Sequence, residues 1–147
     1  MAKKYDLTIS LENLEELVLN GKRVEGICLG SQLQGTVHFT AVENVNARGL
    51  HLEIGYNEHG NGTPCEHQLI DTMFFKDDLV AGQPMEHRFV FPIPDDGPVT
   101  YHGKYVNFDW FVRIRVDIPF WPDKREKFPF IVLPRIRRKG RATSRVG

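Results

Sequence analysis

His59, Cys65 and His67 lie close together in the chain, and imidazole and thiolate are the donors that zinc prefers. Their spacing matches no established finger or knuckle, and no fourth ligand stands beside them. The segment therefore reads as a polar loop whose histidines serve solubility and hydrogen bonding. Asp77-Asp78 and Asp95-Asp96 are paired carboxylates of the kind calcium favours. Neither pair belongs to an alternating ligand loop, and an Asp in a turn commonly caps its own backbone. No nucleophile elbow, phosphate loop or zinc-protease motif is present. Gly60-Asn61-Gly62 is too short to cradle a phosphate and is not set between a strand and a helix. The expectation is no enzyme, no metal and no cofactor.

Charged and aromatic residues offer binding chemistry instead. Arg113 and Arg115 are flanked by Asp109 and Asp117. They suit cross-strand ion pairs or, alternatively, a polar binding face. The segment from Pro119 to Lys127 has Phe120 and Trp121 at its base and charges at its tip. Those two aromatics either close the end of a core or, if exposed, anchor a partner. The chain has 19 Lys plus Arg and 19 Asp plus Glu. All the acids precede position 135, and six bases (Arg135, Arg137, Arg138, Lys139, Arg141, Arg145) do not, which leaves −6 on the body and +6 on the tail. Six cations attract phosphate in a salt-dependent way, but no aromatic platform accompanies them and the body is acidic, so no specific nucleic-acid partner is expected. The tail reads as solubilising, or as a weak contact to an anionic surface such as a membrane's inner leaflet or another copy's acidic body. The candidate partner-binding residues are Phe120, Trp121, Arg113, Arg115, Arg135, Arg137 and Arg138.

The elements that must position these groups are strands. From 107 to 118, Phe108, Trp110, Val112, Ile114, Val116 and Ile118 alternate with a mostly polar set in which Phe111 is the one apolar member. Side chains alternate across a strand, so this is one long strand with one buried and one mostly wet face. Similar alternation marks residues 5–11, 33–42, 50–56 and 87–93, and residues 69–75 and 127–133 read as further strands. Residues 11–19 fit a helical stripe or a strand; the Asn20-Gly21 pair that follows favours a strand entering a hairpin, with Val24 to Leu29 as its partner. Residues 57–64 are a loop by composition. Pro92 and Pro94 cannot donate to a ladder and suit a strand end at an edge. Gly82, Gly97 and Gly103 can take positive φ in turns, and a buried Tyr101 would pin its turn. Short strands, frequent turns and no convincing helix point to an antiparallel β-sandwich.

Several of these residues resemble a known family. Gly30-Ser31-Gln32-Leu33-Gln34-Gly35-Thr36-Val37 is similar to the G-x-x-x-x-G-x-V pattern of arrestins, and Asn46 to Ile54 to their next strand. The most specific part is Ala81-Gly82, Phe89-Val90-Phe91-Pro92-Ile93-Pro94, Pro98-Val99-Thr100-Tyr101-His102-Gly103 and Trp110-Phe111-Val112-Arg113. It resembles arrestin-like N-domains, the retromer's arrestin-like subunit and the bacterial sporulation-control proteins. The resemblance covers residues 30 to 133 and rests on fold signatures. It implies an all-β, antiparallel, immunoglobulin-like sandwich that binds other proteins. Arrestins pair two such domains, and the chain has room for one, so no phosphate-sensing residues are transferred.

The expectation is one arrestin-like sandwich over 1–134 and a basic tail over 135–147, acting as a non-catalytic protein-interaction module. Open edge strands can accept a strand from a partner or a second copy, so a homodimer through sheet edges is credible. The alternative is a ligand-binding sandwich, for carbohydrate or metal, and an enzyme stands a distant third. No apolar run reaches the roughly 20 residues that span a bilayer. No export signal is evident, so Cys28 and Cys65 are expected as reduced thiols in a cytoplasmic protein.

Overall fold

The computed structural model describes residues 5–60, 62, 64–119 and 122–135. Thirteen strands and no helix make up the described residues: β1 Tyr5–Glu12, β2 Glu15–Leu19, β3 Lys22–Cys28, β4 Gln32–Ala41, β5 Val45–Asn46, β6 Gly49–His59, β7 Cys65–Phe75, β8 Asp78–Leu79, β9 Pro84–Pro92, β10 Tyr101–His102, β11 Asn107–Asp117, β12 Lys124–Phe130 and β13 Val132–Leu133. One sheet runs β1-β4-β9. A second runs β10-β11-β6-β7, with β12 on the same side of β11 as β10. A third runs β13-β3-β2, and β5 pairs with β8.

The alternation along β11 does what periodicity dictates on its inner side. Trp110, Val112, Ile114 and Val116 are all buried, and they share one core with Leu50, Leu52 and Ile54 of β6, Val37 and Phe39 of β4, and Phe89 and Phe91 of β9. The apolar faces of the five-stranded sheet and of the β1-β4-β9 sheet thus bury against each other, which is the sandwich arrangement. Trp110 also satisfies its polar atom: Nε1 donates to the Pro98 carbonyl at 2.9 Å.

Asn20 and Gly21 both take positive φ, 51° and 79°, the geometry of a two-residue hairpin turn matched to strand twist. This resolves residues 15–19 as a strand. The run 127–133 behaves differently from one continuous strand. β12 pairs antiparallel with β11, and after Ile131 the chain passes to β3 and pairs with it in parallel. Ile27 N–H donates to the Ile131 carbonyl at 2.9 Å. A Cβ on Gly26 would stand 2.5 Å from that same oxygen, so the crossing needs glycine there. The β13–β3 pair makes the sandwich antiparallel with one parallel exception.

Two turn expectations need correction. Tyr101 is exposed rather than buried. Its loop is pinned instead by Trp110 and by Thr100, which exchanges hydrogen bonds with Val132 (Thr100 N–H to Val132 O, 2.9 Å; Val132 N–H to Thr100 Oγ1, 2.8 Å). Of the three turn glycines, Gly82 has positive φ, whereas Gly97 and Gly103 do not. Pro92 does end β9, which has β4 as its strand partner on one side and no strand on the other among the described residues.

Candidate interaction surfaces

The outer face of the five-stranded sheet carries a network of ion pairs. Register places Arg113 between Glu53 of β6 and Lys127 of β12, and Arg115 between His51 and Arg125. Arg113 Nε donates to Glu53 Oε1 at 2.5 Å. Its two terminal nitrogens grip both oxygens of Glu66 at 2.8 and 2.7 Å, and one of them also reaches Gln68 Oε1 at 3.2 Å. Arg115 touches the other Glu53 oxygen at 3.4 Å and Asp123 at 3.5 Å. Lys127 adds a contact to Glu66 at 4.0 Å.

This face is not mostly wet at its centre, contrary to the alternation reading. Phe111, Glu53 and Arg113 are only 3%, 4% and 8% exposed. Phe111 sits opposite Gly55 on one side and Pro129 on the other. Arg113 and Lys127 lie over the ring with their charged groups 4.9 and 4.6 Å from its centroid, a cation–π arrangement. Long stems of charged residues thereby roof an apolar side chain. The Glu66 carboxyl is held below the ordinary carboxylate range chiefly by its hydrogen bonds from Arg113, and those same bonds raise the Arg113 guanidinium.

Of the candidate partner-binding residues, Arg113 is thus committed to cross-strand partners within the chain and offers a partner little surface. Arg115 is partly exposed beside it. Arg135 is exposed and forms an ion pair with Asp95 in the loop after β9. Phe120, Trp121, Arg137 and Arg138 lie outside the described residues. The expected loop is shorter than composition suggests, because β6 runs on through His59 and β7 begins at Cys65, so His59 and His67 stand on strands; His67 stacks on Tyr56, with ring centroids 4.6 Å apart, and meets Glu58 Oε1 at 3.1 Å. Asp77 Oδ1 accepts from the Asp78 N–H at 2.8 Å, the self-capping expected of Asp in a turn. Among the described residues no three His, Cys, Asp or Glu side chains are grouped to hold a metal ion.

Sequence reasoning did not single out the free strand edges in detail. Among the described residues, β7 pairs only with β6 and β9 only with β4. β7 carries Leu69 and Met73 at 42% and 49% exposure. Its ladder is broken by register shifts opposite Leu50/His51 and Ile54/Gly55; at the second, a Cβ on Gly55 would collide with the His67 carbonyl. β7 and β9 approach across the rim of the sandwich, where Phe74 stacks on His87 with centroids 4.7 Å apart. Burial lowers the His87 pKa. Tyr101 and Tyr105 stand exposed on the β10–β11 hairpin, next to a His102–Asp109 contact of 2.6 Å.

Among solved structures, the chain is similar to Spo0M, the sporulation control protein of Bacillus subtilis, with a TM-score of 0.63 and 18% identity. The likeness takes in 89% of this chain and 50% of that one, so the chain spans about half the length of this structural neighbour. No family model and no curated protein sequence matches it. At that identity the likeness establishes the fold: an arrestin-like β-sandwich.

Proposed function

We propose that this chain is a non-catalytic protein-interaction module of arrestin-like type, which meets its partner along β7. The observation that carries the reading is this strand's open side: eleven residues with one strand neighbour among the described residues, and exposed Leu69 and Met73 beside the charged outer face. Unpaired strand edges template contacts with other chains, and apolar side chains within a polar rim are the usual anatomy of a protein contact. The reading takes residues 1–134 as one sandwich and 135–147 as a basic extension that strengthens capture electrostatically, in a cytoplasmic adaptor. No helix among the described residues is long and apolar enough to cross a membrane.

The test is affinity capture from native lysate with the wild-type chain and with Leu69→Asp/Met73→Asp, both positions being exposed. Support is a protein retained by the wild type, lost with the double variant, and then shown to bind as a purified component. A retained set unchanged by the double variant would overturn the reading. A ligand-binding sandwich is favoured by one observation, the exposed pair Tyr101 and Tyr105 at one end. Oligosaccharide titration monitored at Tyr101→Ala and Tyr105→Ala decides it: saturable binding that either variant abolishes supports this second reading.

A further inference from the structure

The β9 edge carries a self-complementary pattern. Ile93, just past its end, turns both main-chain groups toward the β4 side: its carbonyl accepts from Gly30 N–H at 3.0 Å and its N–H donates to Ser31 O at 2.9 Å. Antiparallel pairs alternate between bonded and non-bonded positions. Counting back along the β4–β9 register, the odd-numbered residues of β9 bond to β4. Glu86, Arg88 and Val90 therefore point their N–H and C=O groups to the free side. Pro84 and Pro92 share that parity and have no N–H to offer there, so they bracket the three donors.

We infer that this edge pairs with the same edge of a second copy, β9 against β9 in antiparallel orientation about a two-fold axis at His87. This register sets Glu86 of each copy directly opposite Arg88 of the other, and Pro84 opposite Val90, an apolar side chain that is 57% exposed in the single chain. Glu86 and Arg88 then exchange both main-chain hydrogen bonds, and Val90 donates to the Pro84 carbonyl. Shifting the axis by one residue ruins the match, because Arg88 or Glu86 would then face itself, and like charges directly opposite are unfavourable. The Phe74–His87 stack comes to the axis and meets its symmetry mate. Present partners of the two charges are weak and exposed: His38 lies 3.3 Å from Glu86, and Glu12 lies 3.4 Å from Arg88. Neither prevents re-pairing.

Two other edges, β7 and β12, fit a second copy less well. β7 is interrupted by its two register shifts. On β12 the outer-face charges are Arg125 and Lys127, both cationic, so an antiparallel match of β12 with itself opposes like charges. The inference extends the reading of open edges as contact surfaces but uses a different edge from the proposed partner site, so the two fail independently.

The experiment is sedimentation equilibrium of the full chain over a concentration series, with circular dichroism to confirm folding of each variant. The wild type is expected to dimerise. Glu86→Arg and Arg88→Glu are each expected to weaken the dimer at least tenfold. The double variant Glu86→Arg/Arg88→Glu restores opposite charges across the axis and is expected to recover the dimer. A wild type that stays monomeric at every concentration, single variants that associate like wild type, or a double variant no tighter than the singles would each overturn the inference. Partner capture that persists in the single variants would leave the proposed function standing.

Discussion

Replacing Arg113 by methionine tests whether the outer-face network holds the sheet together. Methionine keeps most of the stem that covers Phe111 and deletes the charge, together with its bonds to Glu53, Glu66 and Gln68. The decisive loss is at Glu53, whose side chain is about as buried as the core. Removing one partner of a buried pair costs about 3–5 kcal/mol because a charge is left uncompensated. Two features pull the expected value to the lower end. Arg115 still reaches the second Glu53 oxygen at 3.4 Å, and Glu66 is open enough for water to replace what it loses. The expectation is a loss of about 3 kcal/mol, roughly 10 °C in melting temperature for a chain of this size. Urea and thermal unfolding followed by circular dichroism would measure it. Glu53→Gln introduced into the Arg113→Met background removes the stranded charge and should recover part of the loss. An Arg113→Met variant that loses less than about 1 kcal/mol, or one that Glu53→Gln fails to improve, would refute the account of a buried network.

Trp110→Ala should cost about 3–5 kcal/mol by leaving a cavity, with the Pro98 carbonyl losing its donor as well; equilibrium unfolding checks it. His87 binds its proton less tightly in the fold than in the unfolded chain, where an imidazole titrates near 6.5. Its share of stability is therefore complete above that pH and is lost as pH falls below it, and His87→Gln should flatten the dependence of melting temperature on pH between about 7 and 5. Removing residues 135–147 deletes one exposed ion pair from the described structure, Arg135 with Asp95, so unfolding free energy should shift by less than about 1 kcal/mol. Partner capture by the full chain should weaken with salt more steeply than capture by the truncated one, since exposed charges are screened over about 10 Å at roughly 0.1 M; parallel slopes would remove the tail from the mechanism.

Strand positions were legible wherever alternation ran long. The inner face of β11, the Asn20-Gly21 hairpin and the prolines closing β9 all follow from local rules with little competition. Phe111 shows where such rules stop. Alternation assigns it to solvent, and it is buried because Arg113 and Lys127 from two adjacent strands fold over it, a fact about register rather than pattern. The β12–β13 crossing was hidden for a related reason. Apolar residues continue through Ile131, so nothing in composition marks the change of partner; the pointer was Gly26, a residue far away in sequence. Two-residue strands such as β5, β8 and β10 carry too few side chains to show any period. That Arg113 suits cross-strand ion pairs was legible from its place in the alternation, but its actual acids, Glu53 and Glu66 on β6 and β7, were not, because register is not written in composition.

The late parallel pairing of Val132 and Leu133 with Ile27 and Cys28 has a consequence in time as well as in space. A strand near one end of the sequence waits for a strand near the other, and loops that long are slow to close. During synthesis β3 can form its hairpin with β2 at once, but its second edge stays open until residue 133 has emerged. Over that interval Ile27 lacks its Ile131 partner, and the nascent chain is open to wrong strand pairing. Released chains ending just before Val132 and just after Leu133 should therefore differ sharply in protease resistance, although only a few residues separate them.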